Sequence, residues 1–174
     1  MIREATLEDL DAIESGYFAH FAHEKEHGAY TVFKEGVYPT RRDAEKAIEN
    51  GALFVFLKNS AVAGSIIFDK KQPDEYSKIS WLCNATPDEV TVIHLVMVHP
   101  GMAGKGIGSA LVNHAVTVAK ENSCTSVRLD TGAQNSPAVA LYTKLGFVLV
   151  ESASMKVGGA IFHNKHLFFE KKIL

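Results

Sequence analysis

The sequence predicts an α/β domain with a mixed β-sheet, and three observations indicate it. Helical patterns open the chain, strand patterns follow, and strands and helices then alternate. An apolar run at residues 91–98 lacks polar alternation, as in a central strand that is covered on both faces. The length of 174 residues and the 47% hydrophobic content fit one globular unit, so we expect a single domain over 1–174.

The first two elements are predicted as helices from their end signals. Thr6 is a candidate N-cap, with Asp9 three residues later, and the apolar period that follows ends or kinks at Gly28. A second helix is predicted to begin at Thr40 and to stop at residues 50–51, which read Asn-Gly.

The remaining elements follow from changes of hydrophobic period. They are predicted as strands at 52–57, 61–68 and 91–98, a helix at 107–122, a strand at 126–131, a helix at 136–145, and strands at 147–150 and 161–170. Residues 69–90 contain Pro73, Pro87 and many charges, which indicates a surface excursion.

Charge and cysteine content exclude several classes of function. A net charge of −2 gives no basic footprint for nucleic acid. No apolar run reaches the roughly 20 residues that span a bilayer, so we expect no membrane partner. Cys83 and Cys124 form no metal or disulfide motif and are expected to be reduced, buried thiols. With no apolar signal segment at the start, these features predict a cytoplasmic protein.

The stretch HPGMAGKGIGS, residues 99–109, places four glycines between the apolar run and the next helix. Each glycine inside an element costs about 0.5–1 kcal/mol relative to alanine, so their density indicates close approach to the backbone. The first amides of a helix lack intrahelical partners and carry the positive end of its dipole. Such a strand–glycine–helix junction is typical of a phosphate site. A tight turn with glycine for packing alone is the alternative.

Two familiar nucleotide motifs do not fit this stretch. A P-loop needs glycine where His99 stands, and serine or threonine where Gly106 follows the lysine. The dinucleotide fingerprint G-x-G-x-x-G is matched at Gly104 and Gly106, but Ser109 occupies the position of its third glycine.

Residues 95–100 and 104–111, together with residues 135–138 and 141–147, resemble the two signatures of the GNAT superfamily of acetyl-CoA-dependent N-acetyltransferases. The opening at residues 2–6 is similar to the family's first strand and turn. The resemblance implies the acyl-CoA N-acyltransferase fold: a strongly twisted mixed sheet with helices on both faces. Its fourth and fifth strands, here 91–98 and 126–131, splay apart to admit the pantetheine arm.

The resemblance also implies acetyl-CoA as cosubstrate, no metal, and a set of cofactor-binding residues. These are Met97, Val98, Gly104, Lys105, Gly106, Ile107, Gly108, Ser109, Asn135, Ala138 and Tyr142. The family loop begins with glutamine or arginine, but Ala103 stands there in this chain. Backbone amides and the charge of Lys105 are therefore expected to hold the pyrophosphate, with a loss of at most about 1.5–3 kcal/mol.

Two residues are predicted to carry catalysis. Tyr142 is the expected proton donor to the departing thiolate, because a phenol of pKa about 10 stays protonated at neutral pH; a core tyrosine is the alternative. His94 interrupts the apolar strand, where alternation places it on one face with Val92, Val96 and Val98. It is a candidate general base, against a hydrogen-bonded core histidine or a base supplied by water. Asn135 precedes a helix and can cap it while also contacting the cofactor.

Three histidines lie on one face of the first predicted helix. His20, His23 and His27 can line the acceptor pocket, bind a metal, or form a solvated stripe.

The acceptor is predicted to be a primary amine of a small molecule or peptide, attacked directly in a ternary complex. The alternative is a CoA-binding sensor without turnover, which Ala103 favours. A homodimer through the last strands is compatible with the pattern.

Overall fold

The computed structural model describes residues 1–173, which form a seven-stranded sheet flanked by helices. The strands are β1 (Ile2–Glu4), β2 (Leu53–Lys58), β3 (Ala61–Asp69), β4 (Val90–Val98), β5 (Ser126–Gly132), β6 (Val148–Val157) and β7 (Ile161–Lys172). The helices are α1 (Leu10–His27), α2 (Arg41–Glu49), α3 (Ile107–Glu121) and α4 (Ser136–Lys144). In space the strands follow the order β1-β2-β3-β4-β5-β7-β6, with β4 and β5 parallel and the other neighbours antiparallel. The predicted mixed α/β class is confirmed.

Both faces of the sheet bury apolar clusters. On one face, Leu53, Val55 and Leu95 pack with side chains of α1 and α2. On the other, Ile66 and Val127 pack with α3 and α4. The helices therefore cover both faces, as expected.

The predicted ends hold for most elements and fail for β6. Gly28 ends α1 with a φ of 97°, in the region that favours glycine. Thr40 caps α2, since its hydroxyl accepts from the Asp43 amide. The strand predicted at 147–150 is present, but its predicted end is wrong, because β6 continues to Val157. The strand lies at the sheet edge with many exposed side chains, so pairing with β7, not an apolar pattern, extends it.

A β-bulge lies at His94. Leu95 pairs with Ile67 and Ile93 pairs with Phe68, so His94 has no position in the β3–β4 register. The bulge reverses the alternation of β4: Val92 packs in one cluster, while Val96 and Val98 pack against α3 on the opposite face. The expectation that His94 shares a face with all three valines is therefore wrong, because strict alternation does not survive an extra residue.

The parallel strands separate at the same place. β4 and β5 pair from Val90 and Ser126 as far as Ile93 and Leu129. Beyond that point β5 continues to pair with β7 through Gly132, and β4 with β3 through Val98. The predicted splay of the fourth and fifth strands is thus present, and it leaves one backbone edge of 94–98 facing a gap.

Residues 69–90 are more than the predicted surface excursion. Tyr76 and Ile79 are buried against side chains of β7 and β4. The charged composition of the segment does not indicate that two of its residues are buried. A buried ion pair anchors the segment: Glu170 accepts from Arg128 Nε at 2.8 Å and from the amides of Leu82 and Cys83 at 2.7 and 2.9 Å. Although burial opposes it, these bonds hold the pKa of Glu170 below its ordinary value.

Glu170→Gln is expected to lower the free energy of unfolding by about 3–5 kcal/mol, because the buried Arg128 charge loses its partner. Glu35→Gln, in the exposed pair with Lys25, should cost less than about 1 kcal/mol. Urea unfolding of the two variants measures both, and equal effects would contradict the anchoring role.

Candidate active site

A cavity of about 440 Å³ opens where β4 and β5 separate. The diverging strands form its floor, the glycine-rich loop and α4 close one end, and α1 with the segment after it closes the other. All but one of the residues that sequence reasoning assigned to catalysis or the cofactor line it: His94, Met97, Val98, Gly104, Gly106, Ile107, Gly108, Ser109, Asn135, Ala138 and Tyr142.

The glycine-rich loop presents bare backbone to the cavity. Gly104 and Gly106 have φ values of 74° and 78°, and a Cβ built on either meets no atom within 4 Å, so the loop is open on that side. Gly106 is the N-cap of α3 and supplies no side-chain cap. The amides of the first turn, at 107–109, therefore remain without intrahelical partners and point their dipole at the cavity.

Gly108 serves a different purpose in the same turn. A Cβ there would lie 3.3 Å from Leu141 and 3.8 Å from Val98, so its absence allows α3, α4 and β4 to meet closely. The loop glycines thus differ in role: Gly104 and Gly106 leave backbone open beside the cavity, whereas Gly108 allows a close packing contact.

Lys105 is the one predicted cofactor residue outside the cavity lining. Its side chain is exposed, with Nζ 3.7 Å from Met102 Sδ. Ala103 lies at the cavity rim and adds no polar group. The part of the loop that lines the cavity is therefore mainly backbone.

Asn135 and Tyr142 come from α4 and its cap. Asn135 Oδ1 accepts from the Ala138 amide at 3.2 Å, which confirms the predicted helix cap. Tyr142 is 7% exposed. Burial, and secondarily the charge of Asp130, raise the pKa of its phenol well above the ordinary value, so the hydroxyl keeps its proton.

Asp130 is a site residue that the sequence analysis missed. It lies near the end of β5, lines the cavity, and has a side chain that is 14% exposed. Its Oδ1 accepts from the Tyr76 hydroxyl at 2.6 Å, and its Oδ2 lies 3.5 Å from His166 Nε2. Burial raises the pKa of Asp130 to about 6, while Tyr76 and His94 act in the opposite direction. The sequence feature that indicates it is a single acidic residue near the end of the strand predicted at 126–131, where that strand is expected to separate from its neighbour.

His94 is paired with a carboxylate. Its Nε2 lies 2.7 Å from Asp69 Oδ1, and both side chains are about one quarter exposed. Although burial of Asp69 opposes it, the bond to His94 lowers the pKa of that carboxyl. Two groups able to take a proton, His94 and Asp130, therefore line one cavity.

The far end of the cavity is bounded by aromatic and imidazole rings. His20, His23, Tyr30 and Phe33 line it. A buried carboxylate fixes this end: Glu24 accepts from the amides of Tyr30 and Thr31, both at 2.8 Å, and lies 3.0 Å from His20. Burial lowers the pKa of His20.

The histidine face of α1 divides between the cavity and its outer side. His23 stacks on His27 with ring centroids 4.3 Å apart, and His27 is not among the lining residues. Across residues 1–173, no group of three or more histidine, cysteine, aspartate or glutamate side chains is arranged to hold a metal ion. No helix of that same range has the length and apolar character needed to cross a bilayer.

Comparison with known proteins adds to this geometry. The sequence model of the acetyltransferase (GNAT) family matches residues 10–147. An uncharacterized N-acetyltransferase of Methanocaldococcus jannaschii is 31% identical over 153 residues, which are 84% of this chain and 59% of the archaeal protein. The match therefore spans little more than half the length of that relative.

Solved structures share the fold over nearly the whole chain. An N-acetyltransferase of Staphylococcus aureus Mu50 superposes with a TM-score of 0.69 at 25% identity, covering 99% of this chain and 97% of that one. A Salmonella typhimurium protein solved with its cofactor acetyl-CoA gives a TM-score of 0.69 at 21% identity, covering 99% and 92%. A family match over most of the chain, on a sheet that splays beside a glycine-rich loop, shows that this protein belongs to the GNAT acetyltransferase family.

Proposed function

We propose that the protein transfers an acetyl group from acetyl-CoA to a primary amine of a small molecule or peptide, by direct attack in a ternary complex. The observation that carries the proposal is the gap between β4 and β5, opening beside the uncapped first turn of α3 in one cavity. The Salmonella neighbour solved with acetyl-CoA supports the choice of acetyl donor.

The residues present fit acetyl-CoA. The first-turn amides of α3 and the open positions at Gly104 and Gly106 suit a pyrophosphate. The free backbone edge of β4 at 94–98 suits the amides of a pantetheine arm, and Asn135 lies beside it in the lining. When bound, acetyl-CoA supplies the acetyl group.

Tyr142 is the proposed proton donor for the sulfur that leaves. Burial keeps its phenol protonated across the working range of pH. The same burial disfavours a thiolate in that place and raises its basicity, so a proton transfer between the two is not blocked by the raised pKa of the phenol. His94 and Asp130 are the two candidates for the proton that the amine releases.

The test of the function is release of CoA thiol from acetyl-CoA in the presence of amino acids, polyamines, aminoglycosides and peptides with free N-termini. We expect release with at least one class. Tight binding of CoA without release on any amine would instead favour a sensor without turnover.

Tyr142→Phe is expected to lower kcat by about 10²-fold or more while leaving CoA affinity within a few-fold, because only the proton donor is removed. Thr143→Ala, on the exposed side of α4, is the matched control. Thiol release gives kcat and calorimetry gives affinity; an unchanged kcat would refute the assignment.

Ala103→Arg is expected to tighten CoA binding by about tenfold, since a guanidinium at the cavity rim adds a charge-assisted bond to phosphate. Ala103→Met supplies the bulk without the charge and should bind as the unaltered protein does. Calorimetry at low and high salt separates the two, and equal affinities would contradict a phosphate site beside residue 103.

Asp130→Asn is expected to stabilise the protein above about pH 6. The carboxyl binds its proton more tightly when folded, with a pKa of about 6 against an ordinary value of 3.8. Its contribution to stability is therefore full below about pH 4 and is lost as the pH rises to about 6, by up to about 3 kcal/mol. Asparagine avoids that loss.

Urea unfolding at about pH 4 and about pH 8 measures this effect. The gain of Asp130→Asn should be near zero at the lower pH and largest at the higher. Asp88→Asn, at an exposed position, is the control and should show no such trend.

A further inference from the structure

We propose that Asp130 takes the proton released by the acceptor amine, and that His166 and His163 conduct it to solvent. The inference rests on the proposed acetyl transfer and assigns its proton path. It begins from a row of three side chains that starts in the cavity and ends outside it.

The row has continuous contacts. Asp130 Oδ2 faces His166 Nε2 at 3.5 Å, and His166 Nδ1 lies 2.9 Å from His163 Nδ1. The first distance exceeds an ideal hydrogen bond, as catalytic contacts often do before substrate binds. His166 is 2% exposed, whereas His163 is half-buried, on the part of β7 next to the β6–β7 turn. One end of the row thus opens to the cavity and the other to water.

The buried ring of His166 can accept a proton on one nitrogen and donate a proton from the other. Burial, with a smaller contribution from His163, lowers the pKa of His166 to about 4, so its ring is neutral at working pH. A neutral imidazole has one nitrogen that donates and one that accepts. As Asp130 gives its proton to Nε2, Nδ1 gives one to His163, so the ring holds no buried positive charge. Each passage leaves the ring as the other tautomer, and a rotation of the ring restores the starting tautomer before the next passage.

Asp130 is better placed for this path than His94. The Nε2 of His94 is already engaged by Asp69 at 2.7 Å, and no imidazole follows that pair in the described residues. Asp130 Oδ1 accepts from the Tyr76 hydroxyl and Oδ2 faces His166, so contacts from the 3-10 turn at 74–78 and from β7 fix its position. Its carboxylate is ionised at neutral pH and is desolvated, which makes it a competent base in this cavity.

The charges and titratable groups around Asp130 come from several elements. They are Tyr76 and Glu75 from the 3-10 turn at 74–78, His94 from β4, Tyr142 from α4, Tyr38 from the segment before α2, and His166 from β7. The tyrosines have raised pKa values through burial and stay neutral, whereas His94 lowers the pKa of Asp130 and Glu75 raises it.

The amine nitrogen forms a bond to the acetyl carbonyl carbon, the carbon–sulfur bond breaks, and the sulfur receives a proton from Tyr142. The acylated nitrogen, now strongly acidic, gives its proton to Asp130. That proton leaves through His166 and His163, and water in the open cavity restores the proton of Tyr142. A neutral amine and acetyl-CoA thus give an amide and a thiol with no net proton change.

Chemical rescue tests the outlet, using the most active amine of the thiol-release panel. His163→Ala should lower kcat at least about tenfold in dilute buffer, and added imidazole should restore it, as expected when a general acid–base group is replaced from solution. His27→Ala, an exposed imidazole outside the cavity lining, should not be rescued. A full rate for His163→Ala, or a slow rate that imidazole leaves unchanged, overturns the relay while acetyl transfer stands.

A nitrogen-15 NMR titration of the histidines tests the same path without an acceptor. In the unaltered protein the His166 ring shifts should inflect near pH 6, as Asp130 ionises, and Asp130→Asn should abolish the inflection. Asp69→Asn, which perturbs His94, should leave it in place. A His166 ring that ignores Asp130 overturns the relay, whereas absence of thiol release with every amine overturns the proposed function.

Discussion

The separation of β4 from β5 beside the bulge at His94 is the constraint on which the rest of the site depends. The two parallel strands pair for four residues and part after Ile93 and Leu129, and the extra residue in β4 follows at once. A bulge bends its strand and increases the local twist. The same residue therefore aims β4 away from β5 and leaves the edge of 94–98 available to a ligand that brings its own amides.

A gap in the middle of a sheet requires that both strands be held from their other sides. β4 remains paired with β3 as far as Val98, and β5 with β7 through Gly132. On the β5 side the buried pair of Arg128 and Glu170 also fixes the 69–90 segment, which delivers Tyr76 to Asp130. An ion pair far from the cofactor loop thus positions a carboxylate of the cavity.

The sequence predicts the fold, and it predicts residues at the loop end of the cavity, because both are encoded locally. The apolar run, the glycines and the cap at Asn135 are each encoded within a few adjacent residues. Asp130, Tyr76, His166 and His163 come from three separate elements, and their meeting depends on strand order and on the β5–β7 register. The failed alternation at His94 has the same origin, since one inserted residue reverses a period of two without changing composition. The end of β6 is not predicted from the sequence for a further reason: an exposed edge strand carries no apolar pattern that marks its length.

The loop side of the cavity and the side that contains Asp130 differ in how they stabilise a negative charge. The loop side offers amides and a helix dipole, which favour an anion without any buried countercharge, so the proposed phosphate site does not depend on the side chain of Ala103 or Lys105. The opposite side buries a carboxylate whose raised pKa signals that its ionised form is poorly solvated. Tyr76 and His166 hold Asp130 in place, yet neither carries the positive charge that would relieve it. The carboxylate therefore stays basic because the two side chains that contact it are neutral, and a lysine or arginine in place of either would stabilise the fold and remove the base.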